Sequence, residues 1–146
     1  DDPEEIARCS AKDMAEHFSK TVVVEDSGIF IKALNDFPGT CSKYVHQRIG
    51  LKGLLKLMEG IEDRTVFYRS AVSICEPGKE PLSFFGEEKG TVSEDIKGNY
   101  GFGHDPIFVP ENSEETYGEM KNCENLKRFR KIAVGKLKNY LEKEEE

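Results

Sequence analysis

Thr21-Val22-Val23-Val24-Glu25-Asp26-Ser27-Gly28-Ile29-Phe30-Ile31 decides how this chain folds. Its β-branched opening is apolar at successive positions, so both faces call for burial, which predicts an interior strand. Glu25-Asp26-Ser27-Gly28 reads as the end of that strand, and Ile29-Phe30-Ile31 resumes beyond it. Upstream, Asp2-Pro3-Glu4-Glu5 predicts a helix start, with a capping carboxylate, Pro at the first helical position and acids in the first turn. Ile6, Cys9, Met14 and Phe18 recur near helical spacing and predict its buried stripe. Downstream, Asn35-Asp36-Phe37-Pro38-Gly39 is turn chemistry.

Helical patterns follow over 42–49 and 51–59, the second stopped by Gly60. From Arg64 to Cys75 the chain alternates, with Val66, Tyr68, Ser70, Val72 and Ile74 on one face. Glu76-Pro77-Gly78-Lys79 predicts a hairpin into a second extended stretch, Pro81–Ile96. A Gly-rich loop, Gly98–Pro106, precedes a short strand at Ile107-Phe108-Val109. Leu126, Phe129, Ala133, Leu137 and Leu141 predict a final amphipathic helix. Helices interleaved with a hairpin and further strands give an α/β class: one mixed domain over 1–146, built on a partly antiparallel sheet flanked by helices.

The chain has 146 residues and a formal net charge of −7, from 21 Lys+Arg against 28 Asp+Glu. That balance excludes a protein that wraps a nucleic acid polymer, which needs a basic surface. No apolar run approaches the roughly 20 residues of a membrane span, and no signal peptide opens the chain. Cys9, Cys41, Cys75 and Cys123 lack C-x-x-C spacing and lie in apolar-looking flanks, which predicts buried free thiols in a reducing, cytoplasmic setting. Disorder is expected only over 142–146, a run of acids with one Lys.

Two stretches could carry chemistry. Glu25 and Asp26 close a strand where α/β sheets place ligands, and carboxylate oxygens suit Mg²⁺; Ser27 and Gly28 offer a hydroxyl and open amides. The same four residues also read as an ordinary strand-to-turn transition. In Gly98-Asn99-Tyr100-Gly101-Phe102-Gly103-His104-Asp105-Pro106, glycines admit a ligand close to the backbone, aromatics stack on planar rings, and Asp105 accepts from base N–H groups. A surface loop whose glycines only serve turns is the plain alternative. Lys43 and Arg130 could meet phosphate, or be solvated helix charges. His17, His46 and His104 have no zinc-binding spacing.

Together these segments resemble a known family. Val24-Glu25-Asp26-Ser27-Gly28, Ala33-Leu34-Asn35-Asp36-Phe37-Pro38-Gly39-Thr40-Cys41-Ser42-Lys43, Tyr100-Gly101-Phe102-Gly103-His104-Asp105-Pro106-Ile107-Phe108 and Thr116-Tyr117-Gly118-Glu119-Met120 occur in the order and spacing of the inosine/xanthosine triphosphate pyrophosphatases. The resemblance covers nearly the whole chain. It implies a long bent sheet in two lobes with a central cleft, a homodimer, and Mg²⁺-dependent hydrolysis of non-standard purine nucleoside triphosphates to monophosphate and pyrophosphate. It also implies roles. Asp26 would bind Mg²⁺ or activate water, with Glu25 as its catalytic neighbour. Ser27, Lys43 and Arg130 would contact the nucleotide. Phe102, Gly103, His104 and Asp105 would hold the base, Phe102 by stacking and Asp105 by reading its edge.

The chain also departs from the family's pattern. The family's opening strand, its phosphate-cradling loop and an acidic metal ligand come ahead of the first helix, where this chain starts. Glu124 stands at a family lysine and Phe129 at a family histidine, leaving Lys127 or Arg128 to supply a cation. His104 replaces a larger aromatic and Cys41 a Tyr. The alternative expectation is therefore a shortened or catalytically impaired member that keeps the fold and at most weak nucleotide binding.

Overall fold

The computed structural model describes residues 2–144. Its main elements are α1 (Pro3–Phe18), β1 (Val22–Ile31), β2 (Phe37–Gly39), α2 (Ser42–Leu57), β3 (Thr65–Cys75), β4 (Leu82–Val92), β5 (Phe108–Pro110), α3 (Cys123–Leu126) and α4 (Phe129–Glu144). The strands form one five-stranded sheet in the order β2-β1-β3-β4-β5. β1 pairs antiparallel with β2, and β4 with β5, so the α/β class with a partly antiparallel sheet holds. Among the described residues no helix is long and apolar enough to cross a membrane.

The structure corrects the sequence reading in four places. First, β1 runs unbroken through Glu25–Gly28. The strand is held by its neighbours β2 and β3, and the Glu25 and Ser27 side chains find partners beside it. Second, α1 starts as predicted, Asp2 accepting from the Glu4 amide, but its buried stripe is Pro3, Ala7, Ala11 and Ala15. Ile6, Met14 and Phe18 are exposed, as is Cys9. The alanines let the helix axis approach the sheet closely, packing Ala11 and Ala15 on Cys75, Val22 and Val24, so size overrides hydrophobicity. Third, Cys41 is exposed as well as Cys9, while Cys75 and Cys123 are buried free thiols as predicted. Fourth, α4 continues through Glu142, Lys143 and Glu144 where disorder was expected, since Lys and Glu extend a helix readily. Residues 145 and 146 lie outside the described residues.

The expected pair of helices over 42–59 appears as α2, interrupted at Gly50, whose φ of 62° is non-helical. In the last helix Phe129, Ala133 and Leu137 are buried as predicted, whereas Leu141 is exposed, and Leu126, expected in the same helix, ends α3 and is exposed.

The chain gathers into two compact units. One holds the N-terminal residues to Ser27, Arg69–Glu87 and the chain from Arg128 onward; the other holds Gly28–Tyr68 and Glu88–Lys127. In the first, Val72, Ala133 and Leu137 form a cluster lined by Ile74, Phe84 and Tyr140. Here α4 lies directly on β4, because a Cβ at Gly86 would fall 2.8 Å from the Ala133 nitrogen and against the Phe129 carbonyl. In the second, Ile29, Phe30, Ile31, Leu54, Met58 and Val66 belong to the buried core.

Candidate functional site

The predicted residues fall into two groups, one in each unit. In the first, alternation along β1 puts Glu25 and Ser27 on one face and sends Asp26 to the other. The Glu25 carboxylate accepts from Arg130 Nε at 2.7 Å and from the Ser70 hydroxyl at 2.8 Å, both on Oε1. Arg130 Nη2 donates to the Ser27 hydroxyl at 3.2 Å. Arg130 gets there because it sits in the first turn of α4, the helix seated on β4 at Gly86. Three predicted residues from two distant segments, Glu25 and Ser27 of β1 and Arg130 of α4, thus meet.

Asp26 stands apart from that ion pair. Its Oδ2 is buried and meets no hydrogen-bond donor among the described residues. Burial, and then the negative charge of Glu25, hold its carboxyl above the usual carboxylate range. Both observations describe a carboxylate lacking a positive partner. Either a proton or a divalent cation would relieve it.

The second group is built around Asp105, expected to face a base edge but only 1% exposed. Its oxygens are taken by protein donors: Oδ1 by the Tyr68 hydroxyl at 2.8 Å, Oδ2 by the Phe102 amide at 2.9 Å and the Lys127 ammonium at 2.6 Å. Asp105 therefore folds the loop. Gly101 allows this closeness, since a Cβ there would strike the Asp105 carboxylate and its φ is +71°. Lys127, 4% exposed, also pairs with Glu124 at 2.8 Å and lies 4.3 Å from the Phe102 ring centroid. The Phe102 residue itself is 60% exposed. Gly103, also left-handed with a φ of +60°, turns the chain between Phe102 and His104.

His104 is buried and packs edge-on to His46, with ring centroids 5.2 Å apart. Burial, reinforced by His46, lowers its pKa from 6.5 to about 4. A lowered folded-state pKa means the unfolded chain takes up the proton first as pH falls. The contribution of neutral His104 is thus complete above about pH 6.5 and declines toward pH 4, by about 3 kcal/mol in all. Denaturant titrations at pH 7 and pH 4.5 check this: wild type should lose about 2–3 kcal/mol more than His104→Phe between them. Equal losses would contradict it.

Lys43 is exposed in the first turn of α2. Its place is set by the neighbouring Ser42 hydroxyl, which accepts from the Ile29 amide at 2.8 Å and donates to the Gly39 carbonyl at 2.5 Å. Asp105, Cys123 and Glu124 bring potential metal-binding atoms within 4.8 Å of one another. The Lys127 ammonium already pairs with both carboxylates there, so a metal would have to displace it. Asp26 is the better candidate. Sequence reasoning held Lys127 only as a substitute cation and missed Tyr68, whose hydroxyl among Val66, Val72 and Ile74 on one strand face was the available signal.

Comparison with known proteins identifies the family. The chain is 49% identical over 120 residues to a dITP/XTP pyrophosphatase of Methanopyrus kandleri, covering 82% of this chain and 64% of that protein. It is 44% identical over 144 residues to a dITP/XTP pyrophosphatase of Saccharolobus solfataricus, covering 97% and 74%. The chain thus spans about two thirds to three quarters of these relatives. The solved structure of the Staphylococcus aureus Ham1 protein superposes with a TM-score of 0.90 at 28% identity, over 99% of this chain and 78% of that one. With the Ham1 family model matching residues 1–140 and the fold agreeing, the chain belongs to the Ham1 family.

Proposed function

We propose that this chain hydrolyses non-standard purine nucleoside triphosphates, the inosine, deoxyinosine and xanthosine forms, between the α- and β-phosphates, releasing the monophosphate and pyrophosphate. The observation that carries the reading is the buried Lys127 ammonium fixed by Asp105 beside the Phe102 ring. An exposed ring offers a purine a stacking surface, and the ammonium beside it is a pure donor. A 6-oxo group accepts from such a donor, whereas a 6-amino group leaves donors facing each other unpaired. The names of the relatives support the same substrates.

Asp26 is assigned to the attacked phosphate, and Glu25, Ser27 and Arg130, on the opposite face of β1, and Lys43 to further anionic contacts. Asp26 orients the attacking water, an in-line displacement needing little else from the protein. The orphaned Asp26 Oδ2 fits Mg²⁺, and Asp26 would be its protein ligand. When bound, the ion supplies neutralisation of phosphate charge. Arg130, held by Glu25 and Ser27, brings a guanidinium charge to that face of the strand. His104 walls the base site as a neutral imidazole. A homodimer in the cytoplasm belongs to the same reading; exposed Tyr44, Ile49 and Leu57 on α2 offer apolar surface to a second copy.

Steady-state assays with Mg²⁺ test the proposal. kcat/KM for inosine triphosphate should exceed that for ATP by about 10⁴-fold, the discrimination reached by sites built to bond a polar substituent. Equal turnover of the two would contradict the reading.

A further inference from the structure

We propose that Tyr68 is a positioning residue for base recognition: its hydroxyl, 2.8 Å from Asp105 Oδ1, fixes the plane of the carboxylate whose other oxygen holds the Lys127 ammonium and the Phe102 amide. The inference rests on the pyrophosphatase reading and assigns Tyr68 a part in it.

The torsion that turns a carboxylate is broad, so packing alone does not set its plane. Donors set it here, and Tyr68 is the donor shown on Oδ1. Without that hydroxyl, Oδ1 becomes a buried acceptor with an unmet bond, and the carboxylate is free to turn toward other donors. Lys127 then has a competing anchor in Glu124, at 2.8 Å, whose side chain is half-exposed. Drift toward Glu124 takes the ammonium away from the ring that stacks the base.

Tyr68 is itself held firmly. Its ring stacks on Phe108 with centroids 4.1 Å apart, and Phe108 stacks on Tyr117 at 5.6 Å. The Tyr117 hydroxyl donates to the buried Glu88 carboxylate at the far end of this column. Burial and then Asp105 keep the Tyr68 phenol protonated, so it remains a donor across the working pH range. A buried Tyr–Asp–Lys chain is a weak source of stability compared with apolar packing of the same volume. Orientation of the loop is what it provides.

Tyr68→Phe keeps the ring and removes the donor. Tyr117→Phe, the matched control, removes a hydroxyl from the other end of the same column and leaves Asp105 bonded. For Tyr68→Phe, the KM for inosine triphosphate should rise about tenfold with kcat changed much less, and preference over ATP should fall by a similar factor. Tyr117→Phe should lower Tm with KM and preference unchanged. Equal KM and preference in Tyr68→Phe and wild type would overturn the proposal, whatever happens to Tm. Should Tyr68→Phe not fold, replacing Tyr68 by para-aminophenylalanine, whose N–H donor sits where the hydroxyl does, should keep KM within a few-fold of wild type; a tenfold rise would overturn it. Absence of wild-type turnover would instead sink the pyrophosphatase reading, so the two failures are distinguishable.

Discussion

Asp26→Asn should lower turnover of inosine triphosphate by about 10²–10⁴-fold, the range for losing a positioned base, while leaving Tm unchanged or raised. The two halves of this result come from the same atoms. Asp26 carries a buried oxygen without a donor, and burial together with Glu25 raises its pKa. A group whose folded-state pKa is raised is more easily ionised in the unfolded chain, so above that pKa its ionisation opposes folding. The uncharged amide removes the opposition and the activity together, as at sites that hold strain for function. Added Mg²⁺ should raise the Tm of wild type and not of Asp26→Asn, since a ligand of the native state alone stabilises it. Loss of activity with a large fall in Tm would mean that Asp26 is structural. Retained activity would remove it from the chemistry.

Lys127→Met should be the most destabilising single change in the second unit. Asp105 is buried, and losing its cation leaves an uncompensated charge, at about 3–5 kcal/mol. For a chain of this length that amounts to a Tm lower by roughly 10 °C. The double variant Lys127→Met/Asp105→Asn should recover about half or more of the loss, because the amide oxygen can still accept from the Phe102 amide while its NH2 donates to the Tyr68 hydroxyl. Neither variant should discriminate inosine triphosphate from ATP as wild type does. Calorimetry together with the nucleotide assay checks both statements. An additive double variant, or a Tm shift within a degree or two, would show that the ion pair does not organise the loop.

Much of the fold was legible from local pattern. The Asp2-Pro3 cap, the alternation of β3, the interruption of α2 at a glycine and the hairpin after Cys75 each follow from a rule acting over a few residues. The burial of α1 was not legible, because hydrophobicity favours Met14 and Phe18 while the sheet admits only alanine on the contacting face. The continuity of β1 was hidden for a related reason. Glu25 and Ser27 meet their partner Arg130 from more than a hundred residues away, which no local rule reveals. For the site, the motifs supplied the residue identities but not their division of labour. Asp105 was named yet turns inward, and Lys127 emerged because its ammonium is enclosed between Asp105 and Glu124. Such long-range pairing leaves no period in the sequence.

Product analysis of one reaction bears most directly on the whole account. Inosine triphosphate incubated with this chain and Mg²⁺, then followed by phosphorus NMR, should yield monophosphate and pyrophosphate in equal amounts, and Asp26→Asn should form both at least about a hundredfold more slowly. Diphosphate with orthophosphate, or an unchanged spectrum from a folded wild-type chain, would contradict it.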